Sequence, residues 1–236
     1  MAVFEFHTRV AYGDVDSEMR LSLHGAMGLM QEAAIIHSDK IGYSVRHIPQ
    51  THLIWMLVRW RVRLVAEAQW NENVTVRIWP KTMERATSDR EFEIVGEDGR
   101  RVAIGTSSWV LVSADTGRIV RIPTEVAEAY DLTKVSVFND DLSDPEPERG
   151  GLTYSGKVLK RDIDTNHHVN NRVYLQIADE AIADREEKSF REVVVRYRRQ
   201  LLLGQEVRCF CRQNEGDYIV DICSDDDRIS ATVMYR

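Results

Sequence analysis

Residues 161–183, RDIDTNHHVNNRVYLQIADEAIA, set Asp164, Asn166 and His168 two apart and then change rhythm. Read as extended chain, alternate side chains share a face, so Asp164, Asn166, His168 and Asn170 point one way while Thr165, His167 and Val169 point the other. From Asn171 the period becomes helical. Val173, Ile177 and Ala181 recur every four residues, as do Tyr174, Ala178 and Ile182, which predicts an amphipathic helix. Asn170 or Asn171 suits its N-cap. An acid, an amide and an imidazole are therefore expected on one wall, at the positive end of a helix dipole.

Working outward, this stretch has a counterpart. Residues 13–35, GDVDSEMRLSLHGAMGLMQEAAI, align with it without a gap at an offset of 148: Asp14 on Asp162, Asp16 on Asp164, Glu32 on Glu180, Ala33 on Ala181. The match resumes later, Val58-Arg-Trp60-Arg61 against Val195-Arg-Tyr197-Arg198, and Phe92–Leu111 against Ile219–Tyr235 around their turns. Each half reads as a strand, a long helix, then three or four strands joined by hairpins with Gly, Asn and Asp in the turns. That period is too long for a solenoid and implies a duplicated domain. The predicted layout is a first domain over residues 1–138, an acidic linker rich in turn formers over 139–151, and a second domain over 152–236. A helix with a wide apolar face needs a sheet to cover it, so the expected class is α+β, two curved antiparallel sheets each wrapped around a long central helix.

The halves diverge in chemistry. Opposite Asp164, Asn166 and His168 the first half carries Asp16, Glu18 and Arg20, so the amide and imidazole occur in one copy. A row needed for folding would persist in both. The second row is suited to metal-free acyl hydrolysis: a carboxylate and an imidazole can move protons, an amide can orient a water, and amides at a helix start can hold a polarised carbonyl oxygen. No Gly-x-Ser-x-Gly is present, which favours attack by water. Adjacent histidines on a strand point apart and no His-x-x-x-His occurs, so no metal is expected.

The string DIDTNHHVNNRVY closely resembles the Asp-x-Asn-x-His-Val-Asn-Asn-x-x-Tyr motif of the plant and bacterial acyl-acyl carrier protein (acyl-ACP) thioesterases, and the likeness runs through repeat, linker and the Tyr197-Arg198-Arg199 strand. It implies a tandem hotdog fold and hydrolysis of fatty acyl-ACP to free fatty acid and holo carrier protein, ending fatty-acid synthesis, without a cofactor. It further implies that Asp164 orients or activates, that Asn166 and His168 handle thioester and water, and that the first repeat is non-catalytic and shapes the acyl pocket. In that family a glutamate usually follows Tyr-Arg-Arg; here the position is Gln200, which can hydrogen-bond a water but not take its proton. Asp164 is then the expected base. Asn170, Asn171 and Tyr174 are candidate substrate contacts, and Met27, Met30 and Trp55 candidate pocket residues. Alternatives are an acyl-CoA thioesterase, a non-hydrolytic acyl or acyl-carrier binder, and a hotdog dehydratase using Glu180.

Composition is ordinary for a soluble globular protein. Of 236 residues, 43% are hydrophobic and 29% charged, enough apolar material for a core. The longest apolar run, Leu53–Val58, ends at Arg59, far short of the roughly 20 residues a membrane span needs. Three cysteines without metal spacing and no secretory pattern fit a reducing cytoplasm. The net charge of −7 argues against nucleic acid. An acidic carrier protein would need a local basic patch, for which Arg59, Arg61, Arg63, Arg196, Arg198, Lys157, Lys160 and Arg161 are candidates. A homodimer is left open.

Overall fold

The computed structural model describes residues 3–183, 185 and 188–236; Met1 and Ala2, where the first expected domain begins, lie outside them. The chain divides into two compact units, Met1–Asp141 and Leu142–Arg236. The first contains β1 (Phe4–Arg9), a 3-10 turn (Tyr12–Asp14), α1 (Leu23–Lys40), α2 (Ile48–Thr51), β2 (Leu53–Leu64), β3 (Asn73–Pro80), β4 (Thr87–Gly96), β5 (Arg101–Ser113) and α3 (Thr124–Ala129). Its strands form an antiparallel sheet in the order β1-β3-β4-β5-β2.

α1 starts where Ser22 Oγ accepts the Gly25 amide at 2.9 Å, satisfying a donor that the first turn leaves unpaired. Ala26, Met27, Met30 and Ala33 on this helix are fully buried, and it packs on β1 to β4. Burying each large apolar side chain contributes about 1.5–3 kcal/mol. Two glycines let the backbone come this close: a Cβ on Gly25 would lie 2.0 Å from the Asp14 carbonyl oxygen, and one on Gly105 2.7 Å from Met30 Sδ.

The second unit repeats the plan with β6 (Gly151–Lys157), a 3-10 turn (Lys160–Asp162), α4 (Val173–Glu180), β7 (Glu192–Tyr197), β8 (Glu206–Asn214), β9 (Asp217–Ser224) and β10 (Ile229–Tyr235). Read from its first strand, its sheet runs β6-β8-β9-β10-β7, the connectivity of the first unit. β8 and β9 join through Asn214–Asp217, with Glu215 and Gly216 at φ of 50° and 95°, the left-handed pair that a two-residue hairpin requires. One expectation is corrected here. The second helix is not long: it spans eight residues, because beyond Glu180 the chain tightens into i→i+3 bonds, Ala181 to Ala178 and Ile182 to Asp179.

The segment expected to be a free acidic linker is pinned along much of its length. In the first unit, Val137 and Phe138 pack with Trp79 and Ile104, and the buried Glu91 accepts the Val137 amide at 3.0 Å. Asp140 accepts from Arg61 at 2.6 Å and Arg63 at 3.0 Å, both guanidiniums lying over the Phe138 ring. These two arginines hold the Asp140 carboxyl down at about 2. In the second unit, Leu142 packs on Val194, Ile219 and Met234, and Asp144 pairs with Arg196 at 3.5 Å. Arg212 donates to the carbonyls of Glu146 and Glu148, and the buried Asp221 accepts the Glu148 amide at 3.1 Å. Arg61, Arg63 and Arg196 thus clamp a strap and do not form an open basic surface. No helix among the described residues is long and apolar enough to cross a membrane.

Candidate active site

The row is built on a tight loop, not an extended strand. Asp164 donates its amide to the His168 carbonyl at 3.0 Å, His167 returns its own to the Asp164 carbonyl at 3.1 Å, and Ile163 bridges Val169. Asp164 Oδ1 accepts the Asn166 amide at 2.8 Å, the local bond by which a short acid favours a turn over a strand. His167 closes the loop at φ 64°. Below it, Asp162 braces the stem: Oδ2 accepts the Leu159 amide at 2.7 Å and its carbonyl accepts the Asn170 amide at 2.9 Å.

The expected sidedness is present only in part, since Val169, expected to point outward with Thr165 and His167, is fully buried. Asp164, Asn166, His168 and Asn170 are half-buried, whereas Thr165 and His167 are exposed. Asp164 Oδ1 lies 4.0 Å from His168 Nδ1, with the two side chains 16% and 19% exposed, so acid and imidazole face one another in partial shelter from water. His168 Nδ1 also lies 3.2 Å from the Val169 carbonyl. A carbonyl can only accept, so this bond places the proton on Nδ1 and leaves the lone pair on Nε2. Asn166 is fixed through its backbone.

The remaining candidates divide by place. Asn170 Oδ1 accepts the Arg172 amide at 3.0 Å and its carbonyl accepts the Val173 amide at 2.9 Å, so two amides expected to cradle a carbonyl oxygen are already engaged. The residue before α4 is Arg172, in helical backbone with no side-chain cap; Asn170 caps two residues earlier. Asn171 gives its carbonyl to the Tyr197 hydroxyl at 3.0 Å. Tyr174 is 2% exposed and its hydroxyl is held between the Arg199 carbonyl and the Leu201 amide, so it does not present an open polar surface. Burial pushes its hydroxyl up to about 12. Gln200 lies exposed on the loop between those two residues.

Met27, Met30 and Trp55 belong to the first unit, the methionines wholly in its core. Trp55 packs edge-on to Tyr130, 6.4 Å away, beside the buried Arg90 guanidinium at 5.5 Å. Glu180 lines a groove of about 490 Å³ with Tyr154, Lys157, Arg161, Asp162 and Gln176, and none of Asp164, Asn166 or His168 lines it. Among the described residues no group of three or more His, Cys, Asp or Glu is placed to hold a metal. Cys209 is buried on β8, its thiol pushed up to about 12 by desolvation.

Sequence reasoning missed Asp162, Leu201 and Tyr197 as supports of the row. Identity of Asp162 with Asp14 was the available signal for the first and the match of Tyr197 to Trp60 in the repeat for the third; Leu201 acts through backbone atoms and leaves none.

Family models described as the acyl-ACP thioesterase N-terminal and C-terminal domains match residues 2–130 and 150–232. The chloroplastic oleoyl-acyl carrier protein thioesterase 2 of Arabidopsis thaliana is 28% identical over 170 residues, covering 62% of this chain and 45% of that protein. The chloroplastic dodecanoyl-[acyl-carrier-protein] hydrolase of Cinnamomum camphora is 24% identical over 226 residues, 86% of this chain and 57% of that protein. The chain spans about half the length of the curated relatives it matches. In structure, an acyl-ACP thioesterase from Bacteroides thetaiotaomicron superposes with a TM-score of 0.88 at 18% identity over 99% of this chain and 96% of the other. A 12:0-ACP thioesterase from Umbellularia californica gives 0.86 at 21%, over 99% and 96%. At these identities the likeness is one of fold.

Proposed function

This chain belongs to the acyl-ACP thioesterase family, and from that premise we propose that it hydrolyses fatty acyl-ACP to free fatty acid and holo carrier protein in fatty-acid synthesis. Each unit is read as a hotdog domain, the second catalytic over residues 152–236 and the first, residues 1–138, receiving the acyl chain. The observation that carries the reading is the apposition of Asp164 and His168 at 4.0 Å with Nδ1 turned to the Val169 carbonyl.

That tautomer supports His168 as the base in place of the expected Asp164. Nε2 takes a proton from water as the water oxygen adds to the thioester carbonyl carbon, and the Asp164 charge stabilises the imidazolium. Collapse of the adduct breaks the C–S bond, and Nε2–H returns the proton to the departing thiolate. Asn166 and Gln200 orient the water and the thioester by hydrogen bonds, a role open to amides that cannot themselves take a proton. Lys157, Lys160 and Arg161 are exposed just before the row, which supports them as the local basic face for an acidic carrier.

Acyl release from acyl-ACP tests this directly. Asp164→Asn and His168→Ala are each expected to lower turnover about a hundredfold or more, the scale of a lost proton-transfer group. Undiminished release in both would end the proposal. Gln200→Glu should be neutral or faster, since it adds a second base without removing an acceptor.

A further inference from the structure

Tyr174 is used by neither the proton transfers nor the apolar core alone, and its hydroxyl is placed in a manner the fold itself does not require. Its ring sits edge-on to Tyr197, 5.3 Å away, which fixes it against β7. From there the oxygen reaches the loop after β7 at both ends of residue 200. It donates to the Arg199 carbonyl at 3.3 Å and accepts the Leu201 amide at 3.0 Å. Leu201 is fully buried, and its carbonyl accepts the Val169 amide at 2.9 Å. The Val169 carbonyl in turn accepts His168 Nδ1–H at 3.2 Å. One hydroxyl therefore holds the backbone that carries Gln200 and stands three bonds from the imidazole.

The first unit supplies the internal control. There the Leu21 amide reaches the Ala68 carbonyl at 2.8 Å, the same bridge as Val169 to Leu201. At the offset of 148 the position of Tyr174 is Ala26, fully buried and without a hydroxyl. The counterpart of Tyr197 is Trp60, whose Nε1 is buried without a partner. The bridge thus forms without either tyrosine, and the hydroxyl clamp occurs in the copy that carries the Asp164, Asn166 and His168 row.

We propose that Tyr174 is a positioning residue of the thioesterase site, its hydroxyl fixing the Arg199–Leu201 backbone under Gln200 and, through Leu201 and Val169, the Nδ1–H form of His168. This rests on the hydrolase reading of the same row. Tyr174→Phe keeps the ring packing and removes both hydroxyl bonds. Turnover is expected to fall about ten- to a hundredfold, the cost of a slightly misplaced catalytic group, with KM within about twofold. The 15N shifts of the neutral His168 ring should move from the Nδ1–H pattern toward a mixture.

Tyr235→Phe serves as the matched structural control. Its hydroxyl is equally buried and donates to the Leu175 carbonyl of α4 at 3.1 Å, away from the loop, so its loss should leave kcat and the His168 shifts unchanged. Wild-type kcat in Tyr174→Phe with an unchanged ring tautomer overturns the proposal. So does an Nε2–H ring in the wild-type protein, a measurement that needs no variant to fold. A tautomer shift in Tyr174→Phe, found while the wild-type chain releases no acyl group, would retain the clamp and reject the hydrolase reading, which separates the two failures.

Discussion

His37 shows how one residue sets an acid limit on the fold. Its ring stacks on Phe4 at 5.1 Å, meets Tyr130 edge-on at 5.5 Å, and leaves Nδ1 buried without a partner. Desolvation, then the charges of Arg90 and Lys40, hold it down at about 4. The folded state keeps this ring neutral while the unfolded chain protonates it near its ordinary value, about 6.5. Between those values the unfolded state binds more protons, so stability is full above about 6.5 and declines as pH falls toward 4, by about 3 kcal/mol in all. His37→Phe retains the stacking and should flatten that decline, read as the difference in unfolding free energy between pH 7 and pH 4; an unchanged difference would refute it. The candidate row was more legible than this histidine. Spacing alone put Asp164, Asn166 and His168 together, and all three are half-buried. The extended backbone behind that reading was wrong because Asp164 takes the Asn166 amide and turns the chain.

At the level of elements, the strap explains where the strand arginines go. Composition marked residues 139–151 as an acidic linker and left Arg61, Arg63 and Arg196 among the candidates for a docking face. The same acids prove to be the partners of those arginines. Pairings such as Arg61 with Asp140, 79 residues apart, leave no local trace in sequence, so acidic content alone could not separate a linker from a clasp. Asp221 is the test. It is fully buried on β9, accepts Arg212 at 2.9 Å, the Thr232 hydroxyl at 2.6 Å and the Glu148 amide at 3.1 Å. Asp221→Ala takes an acceptor from three donors, among them a guanidinium only 15% exposed that loses its buried carboxylate and keeps its carbonyl partners, and should lower unfolding free energy by about 3 kcal/mol in denaturant titration. Cleavage by a nonspecific protease should concentrate at residues 144–150 in the variant. A loss under about 1 kcal/mol with unaltered cleavage would show that the strap is held otherwise.

Over the whole molecule, the offset of 148 is as much a geometric identity as a sequence one. Asp16 accepts the Glu18 amide at 2.9 Å as Asp164 accepts that of Asn166 at 2.8 Å, and Met19 and His167 both stand at φ 64°. Asp14 braces its stem by accepting the Ala11 amide at 3.1 Å, as Asp162 does for Leu159. The duplication was readable because both loops need these acids for backbone reasons. Strands β3 and β8 escaped it because a sheet position asks only for alternation, which many sequences satisfy. Where the copies part, Arg20 replaces His168 and is tied to Glu18 at 2.8 Å, Asp16 at 3.3 Å and Glu67 at 3.5 Å, an ion-pair knot with no proton to give. Paired substitutions can therefore separate the structural from the chemical duty of one residue type. Asp16→Ala and Asp164→Ala each delete the acceptor of the amide two residues on, worth about 1 kcal/mol, and Asp16→Ala should cost more because Asp16 also takes the Arg20 amide at 3.0 Å and pairs with its guanidinium. Asp16→Asn and Asp164→Asn keep that acceptor and should recover most of it in both. Thioester release should divide the asparagine pair, near wild type for residue 16 and down about a hundredfold for residue 164. Equal loss of release in the two would mean that the carboxylate acts through the loop it shapes in either unit, and that chemistry is not confined to the second.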